Sequence, residues 1–223
     1  MLDRSDAQKN KKRWPTKAVM SQIYEKSLWG GAEYDFYSGD GSHDVQIVNP
    51  YIAFVKDFLI GFESPIAVCD LGCGDFNVGH QLVNCTKAYF AIDIVADLIE
   101  RNKAIYKNEN LIFQCLDICK DHLPKSDCAL VRQVMQHLSN SEIIELLLKL
   151  KNFKYIIVTE HLPILQFKAN LDLVTGQGNR LKIKSGVVLT EAPFYFKPLE
   201  EKHLLTLKID AKSVIKTILY KIY

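Results

Sequence analysis

The chain has 223 residues, a formal net charge of +2, 48% hydrophobic residues and 24% charged residues. These proportions are those of an ordinary globular protein and exclude a long disordered tail, while the length suits one domain with a full core and extensions. So small a net charge supplies no broadly basic face for backbone-dominated nucleic-acid binding, which leaves a local patch as the only route to such a partner.

In chain order, the first dozen residues are a polar arm. Lys9, Lys11, Lys12 and Arg13 read as a solvated terminus, with contact to an acidic partner as the alternative. The charged start, MLDRSDAQKNKKRW, has no apolar core of a secretory signal, and no later run approaches the roughly 20 apolar residues of a membrane span. The cytoplasm is the expected compartment. Residues 14–28 are compatible with a short helix, followed by WGGAEYDFYSGDGSHD, where glycines, aromatics and acids break the periodicity. That composition predicts a loop that folds over something. Trp29, Tyr34, Phe36 and Tyr37 in it either cover a ligand or pack on the next helix, and His43 is a candidate substrate contact. Val48, Ile52, Val55, Phe58 and Leu59 recur at helical spacing and predict an amphipathic helix over 47–62, ending at Gly61.

From Pro65 strands and helices alternate. Strands are predicted at Ile66–Asp70, Ala88–Ile94, Leu111–Leu116, Cys128–Arg132 and Tyr155–Glu160, with helical segments at Val78–Cys85, Val95–Tyr106 and Ser141–Leu150. This alternation predicts an α/β fold, a mainly parallel sheet covered on both faces. Ser139 and Glu142 have the spacing of a capping box. Regularity weakens after Glu160, and Leu204–Ile209 and Val214–Tyr223 read as a closing pair of strands. The expected organisation is a single domain over 1–223: an N-terminal lid and helices over 1–62, a ligand-binding core over 63–160, and an insertion with closing strands over 161–223. The six cysteines sit mostly in or beside apolar runs, where cysteine acts as a small hydrophobe. Their spacing lacks the tight pairs and partner histidines of a zinc site, and no metal is expected.

Ligands of open parallel sheets sit beyond the C-terminal strand ends, where glycine lets the backbone approach. IAVCDLGCGDFNVGH places Asp70, Gly72 and Gly74 at such an edge, with Gly79 further on. A dinucleotide site prefers G-x-G-x-x-G, and carboxylates such as Asp70 and Asp75 would repel a pyrophosphate. They suit a cationic or zwitterionic ligand, and S-adenosylmethionine carries a sulfonium and an ammonium with no phosphate. AYFAID ends the second strand in Asp93, placed to take both ribose hydroxyls. FQCLD ends the third in Asp117, placed to accept from an adenine amino group.

VCDLGCGDFNVG, AIDIVADLIERNK, FQCLDI and CALVRQVMQHLSNSE, in that order over roughly residues 65–160, resemble the successive motifs of the class I S-adenosylmethionine-dependent methyltransferases. The flanking IYEKSLWGG, YSGDGSHD, TEHLP and NLDLVTGQGNR resemble a bacterial subgroup of them, some of it associated with surface polysaccharide or small-molecule modification. The resemblance implies a Rossmann-like fold with a seven-stranded sheet, an antiparallel C-terminal strand, S-adenosyl-L-methionine as cofactor and S-adenosyl-L-homocysteine as product. It implies that Asp70, Gly72 and Gly74 line the methionine end, that Asp93 with Ile94 holds the ribose, and that Asp117 with Ile118 holds the adenine. Arg132 and Gln133 then border the sulfonium and the substrate. Arg132-Gln-Val-Met stands where enzymes that methylate exocyclic amines carry an Asn-Pro-Pro-Tyr type of tetrapeptide, which argues against a nucleobase amine.

Methyl transfer needs a base only when the acceptor is protonated at neutral pH, and histidine is the natural one for a hydroxyl. His137 and His161 lie just past the fourth and fifth strands and are the catalytic candidates, each with a structural role as its alternative. Arg180 is a candidate grip for an anionic acceptor, and Trp29 and His43 complete the substrate-side candidates. The expected function is methyl transfer to a small-molecule or glycan-linked acceptor, at oxygen. The alternatives are an RNA or protein methyltransferase and a donor-binding protein without transfer.

Overall fold

The apolar runs form strands β1 (Ala67–Leu71), β2 (Ala88–Asp93), β3 (Leu111–Cys115), β4 (Cys128–Arg132), β5 (Tyr155–Pro163), β6 (Glu200–Lys208) and β7 (Ser213–Lys221) in the computed structural model, which describes residues 14–223. The basic arm with Lys9, Lys11, Lys12 and Arg13 lies outside the described residues. The strands join one seven-stranded sheet in the order β3-β2-β1-β4-β5-β7-β6. The pairs from β3 across to β5 are parallel, and β7 runs antiparallel to both β5 and β6.

Helices α1 (Thr16–Glu25), α2 (Asp40–His43), α3 (Val45–Ile60), α4 (Ala96–Ile105) and α5 (Asn140–Leu150) surround the sheet. The central strands are buried on both faces, and neighbouring residues feed opposite cores because strand side chains alternate. Val68, Leu130 and Ile157 meet Val48, Ile52, Val55 and Leu59 of α3, whereas Cys69, Ala129 and Ile156 meet Ile143, Leu146 and Leu150 of α5. Each such buried aliphatic side chain contributes about 1.5–3 kcal/mol relative to exposure.

The capping box forms as predicted. Ser139 N–H donates to Glu142 Oε2 at 3.1 Å, and the α5 start is thereby closed. The hydroxyls of Thr16 and Thr175 also donate to Glu142, so this carboxylate joins α1, α5 and the segment after β5.

The helix predicted over Val78–Cys85 is replaced by two 3-10 turns, Gly79–Gln81 and Val83–Cys85. Local bonds compete with an α-helix there: Thr86 Oγ1 donates to Val83 O at 2.7 Å, and His80 Nδ1 lies 3.0 Å from Phe76 O. The first closing strand starts earlier than predicted, at Glu200, and β7 inserts between β5 and β6.

Candidate active site

The strand order reverses between β1 and β4, and a cleft opens at their C-terminal ends, as open α/β sheets dictate. It encloses about 1140 Å³ of space, solvent at its mouth included.

The turn after β1 forms its floor. Gly72 and Gly74 have φ of 84° and 56°, and a Cβ would stand 2.5 Å from Val134 Cγ2 at the first and 2.4 Å from Ser38 Oγ at the second. Only glycine allows both the β4 loop and the N-terminal segment to close on this turn. Its backbone is tied from several sides: Gly72 and Cys73 N–H donate to Ile92 O at 2.9 and 2.8 Å, and the buried Asn102 donates to Gly74 O at 2.7 Å.

Four carboxylates reach the cleft: Asp70, Asp75, Asp93 and Asp117. Burial pushes Asp70 up to about 7, against the hydrogen bond from Tyr89 Oη at 2.9 Å and the nearby Arg132. Burial also raises Asp93, where the N–H groups of Val95 (3.0 Å) and Gly74 (3.1 Å) oppose it. Asp75 accepts from Ser38 N–H at 2.8 Å and lies 2.6 Å from His43 Nε2. Asp117 accepts from Cys119 N–H at 3.0 Å and from Lys120 Nζ at 2.8 Å.

The N-terminal segment covers the floor. Tyr24 Oη and Ser38 Oγ are 3.0 Å apart, Ser38 Oγ accepts from Asp75 N–H at 2.8 Å, and Asn77 Nδ2 donates to Ser42 O at 2.7 Å. Arg101 fastens the same segment through Asp35, with Nε–Oδ2 at 2.8 Å and Nη2–Oδ1 at 3.0 Å. Arg132, at the end of β4, donates to Gly41 O and to Ser42 Oγ (3.3 Å), and its guanidinium lies 5.0 Å from the Tyr51 ring centroid. Burial lowers its pKa from the usual arginine value.

The 3-10 turn Met135–His137 forms the wall beyond β4. His137 Nδ1 lies 3.1 Å from Gly178 O, an arrangement in which Nδ1 carries the proton and Nε2 the lone pair. Burial lowers the pKa of this imidazole, so it is neutral at pH 7, although contacts with the Gly178, Gly176 and Gln177 backbone oppose the shift. Gln136 Nε2 lies 3.2 Å from His137 Nε2, and the Trp29 ring is 5.1 Å from the His137 ring. Three buried polar atoms in the cleft residues have no partner: Arg132 Nε, Gln133 Nε2 and Gln136 Oε1.

No family model and no curated protein matches the chain. Solved structures do. Human N-acetylserotonin methyltransferase in complex with S-adenosylmethionine is 18% identical over 94% of this chain, with a TM-score of 0.57; the match spans 60% of the human chain. The magnesium protoporphyrin IX methyltransferase from Synechocystis, also with S-adenosylmethionine bound, is 14% identical over 95% of this chain and 100% of its own, with a TM-score of 0.59. The N-methyltransferase NodS from Bradyrhizobium japonicum, with S-adenosylhomocysteine, is 11% identical over 91% of this chain and 98% of its own, at 0.60.

The fold is that of the class I methyltransferases.

On this methyltransferase fold, Asp70, Gly72, Gly74, Asp93, Ile94, Asp117, Ile118, Arg132, Gln133, His137 and Trp29 all line the one cleft. Three predicted residues do not. His43 stands behind the cleft wall, paired with Asp75 and stacked on Tyr37 at 4.4 Å. His161 is directed by the β5 register to the β7 side, where Nε2 lies 2.9 Å from Ser213 Oγ, and burial lowers its pKa. The anion grip expected of Arg180 is corrected: the side chain is 1% exposed and each of its five N–H groups has an acceptor. These are the carbonyls of Leu171, Met135, Gln136 and Leu138, and Asn140 Oδ1. Arg180 bolts the turn that carries His137 to α5.

Sequence reasoning missed Tyr24, Ser38, Ser42, Tyr51 and Gln136 as cleft residues. Gln136 carried a signal, a polar side chain directly beside a candidate histidine at a strand end. Tyr24 and Tyr51 carried none, because a tyrosine on an amphipathic helix looks the same whether it faces core or ligand.

Proposed function

We propose that this protein is an enzyme that transfers a methyl group from S-adenosylmethionine to the hydroxyl of a small-molecule or glycan-linked acceptor. The observation that carries the reading is one cleft in which a glycine turn and four carboxylates surround space to which the described residues bring a single guanidinium, Arg132, itself engaged by Gly41 O and Ser42 Oγ. The residues fit the donor: Asp93 the ribose hydroxyls, Asp117 and Ile118 the adenine, Asp70 and the glycine turn the cationic methionine end. The unpartnered Arg132 Nε and Gln133 Nε2 are donors that a carboxylate would satisfy.

The bound donor supplies a methyl group on a sulfonium, an already activated carbon, so positioning and exclusion of water are the protein's main contributions. The N-terminal segment excludes water through its ties to Asp75 and Arg132. His137, neutral with its lone pair on Nε2, accepts the hydroxyl proton once the acceptor displaces the Gln136 amide that lies 3.2 Å from that atom. Solved neighbours named for N-acetylserotonin and magnesium protoporphyrin support a small acceptor. Surface polysaccharide precursors belong in the same acceptor screen.

Calorimetric titration with S-adenosylmethionine, S-adenosylhomocysteine and NAD tests the reading. Binding of the first two without NAD is expected; binding of NAD alone, or of none, overturns it.

A further inference from the structure

Resting on that reading, we propose that the acceptor is an uncharged aromatic hydroxyl compound, its ring against Trp29 and its hydroxyl at the Gln136–His137 pair. Three observations converge on this class.

The first is the aromatic wall. The partly exposed Trp29 ring lies edge to Tyr24 at 5.4 Å and 86°, and its indole N–H donates to Gln177 O at 3.2 Å. It is held in place next to the His137 ring, with Met20, Val134 and Leu138 also lining the cleft. A flat ring is bound well by such a surface. A sugar would bury several hydroxyls beside side chains that offer them no partner.

The second is charge. Among the described residues lining the cleft, Arg132 is the one guanidinium or ammonium against four carboxylates. Gly41 O, Ser42 Oγ and the Tyr51 ring already engage it. Arg180, the other arginine near the turn, is consumed behind it. The donor's own carboxylate takes the Arg132 Nε that remains, so an acceptor phosphate or carboxylate has no further cation to meet and the cleft carboxylates to approach.

The third is Gln136. Its side chain is 95% buried (5% exposed), lines the cleft, and leaves Oε1 without a donor. A buried orphan acceptor calls for a donor on a bound acceptor molecule, and an O–H or N–H next to the reacting hydroxyl supplies it. In the transfer, the acceptor O–H proton passes to His137 Nε2, the acceptor oxygen forms the new C–O bond, and the electron pair of the broken C–S bond stays on sulfur as S-adenosylhomocysteine.

The experiment begins with calorimetry of S-adenosylhomocysteine on the full chain; failure to bind overturns the donor reading and this inference with it. The loaded protein is then titrated with 4-hydroxyacetophenone, catechol, 4-hydroxybenzoate and glucose 1-phosphate, and the same compounds are assayed with S-adenosylmethionine by product mass. The uncharged phenols are expected to bind and to be O-methylated with kcat/KM about tenfold or more above the carboxylate, with no binding of the sugar phosphate. Trp29→Ala is expected to raise KM for the phenol about tenfold at nearly constant kcat, with recovery in Trp29→Phe. Donor binding without binding of either uncharged phenol, or a preference for 4-hydroxybenzoate or glucose 1-phosphate, overturns the inference and leaves the donor reading standing.

Discussion

Asp70 and Asp93 both end central strands, yet their surroundings differ in a way that predicts different behaviour. Asp93 receives two backbone N–H groups that oppose its desolvation, while Asp70 has one tyrosine hydroxyl and sits near 7. A cationic donor favours ionised Asp70, so binding must release its proton below about pH 7. The dissociation constant is therefore expected to rise about tenfold per pH unit below pH 7 and to be flat above it. Calorimetry across that range checks the slope, and Asp70→Asn should abolish it. Asp93→Ala removes the proposed ribose acceptor and should weaken donor binding by about 2 kcal/mol or more; unchanged affinity would remove the ribose assignment. His137→Ala is expected to lower turnover about 100-fold or more while sparing donor affinity. Equal turnover would return His137 to a structural role.

At the scale of elements, α5 illustrates how a short sequence pattern acquires a long-range duty. Ser139 and Glu142 close its start in the usual reciprocal manner, which makes Ser139→Ala cost about 1 kcal/mol. Glu142 also accepts from Thr16 on α1 and Thr175 in the segment after β5. Burial raises its pKa, but these bonds outweigh burial and hold it below the ordinary glutamate value. Glu142→Ala should therefore lower the melting temperature more than Ser139→Ala in a thermal unfolding series. It should also lose part of its effect as pH falls through the depressed pKa, where the wild-type carboxylate is protonated and its contribution is already gone. Identical losses in the two variants would limit Glu142 to its cap.

Across the whole molecule, the turn bearing His137 is held from beneath by groups far apart in sequence. Arg180 binds its carbonyls, and Glu160, 3% exposed with both oxygens unpartnered, lies near its N–H groups and near Arg180. Burial pushes Glu160 up to about 8, despite the attraction of Arg180. A carboxyl whose folded pKa is raised destabilises the fold as pH climbs from its unfolded value to its folded one. Glu160→Gln keeps the neutral shape, so it should match the wild type near pH 4, melt progressively higher as pH rises from there, and keep its full advantage near pH 9. Parallel melting curves for the two proteins would show that Glu160 ionises without cost.

Much of the fold was legible because its determinants are local. An apolar run such as Cys128–Arg132 declares a buried strand by itself, Ser139 and Glu142 declare a helix start, and Asp70, Gly72, Gly74, Asp93 and Asp117 declare an edge by following strands. Periodicity could not separate an α-helix from the two 3-10 turns after Gly79, since competing side-chain bonds to the backbone decide that choice. The sequence by itself thus determined the order of elements, the acids at the strand ends and the histidine beside them, through interactions spanning a few residues. Only the tertiary structure decided that Arg180 turns inward to carbonyls of the His137 turn, that His161 faces Ser213, and that Trp29 reaches His137. Those outcomes depend on strand register and on where loops distant in sequence meet, and no short-range preference encodes either.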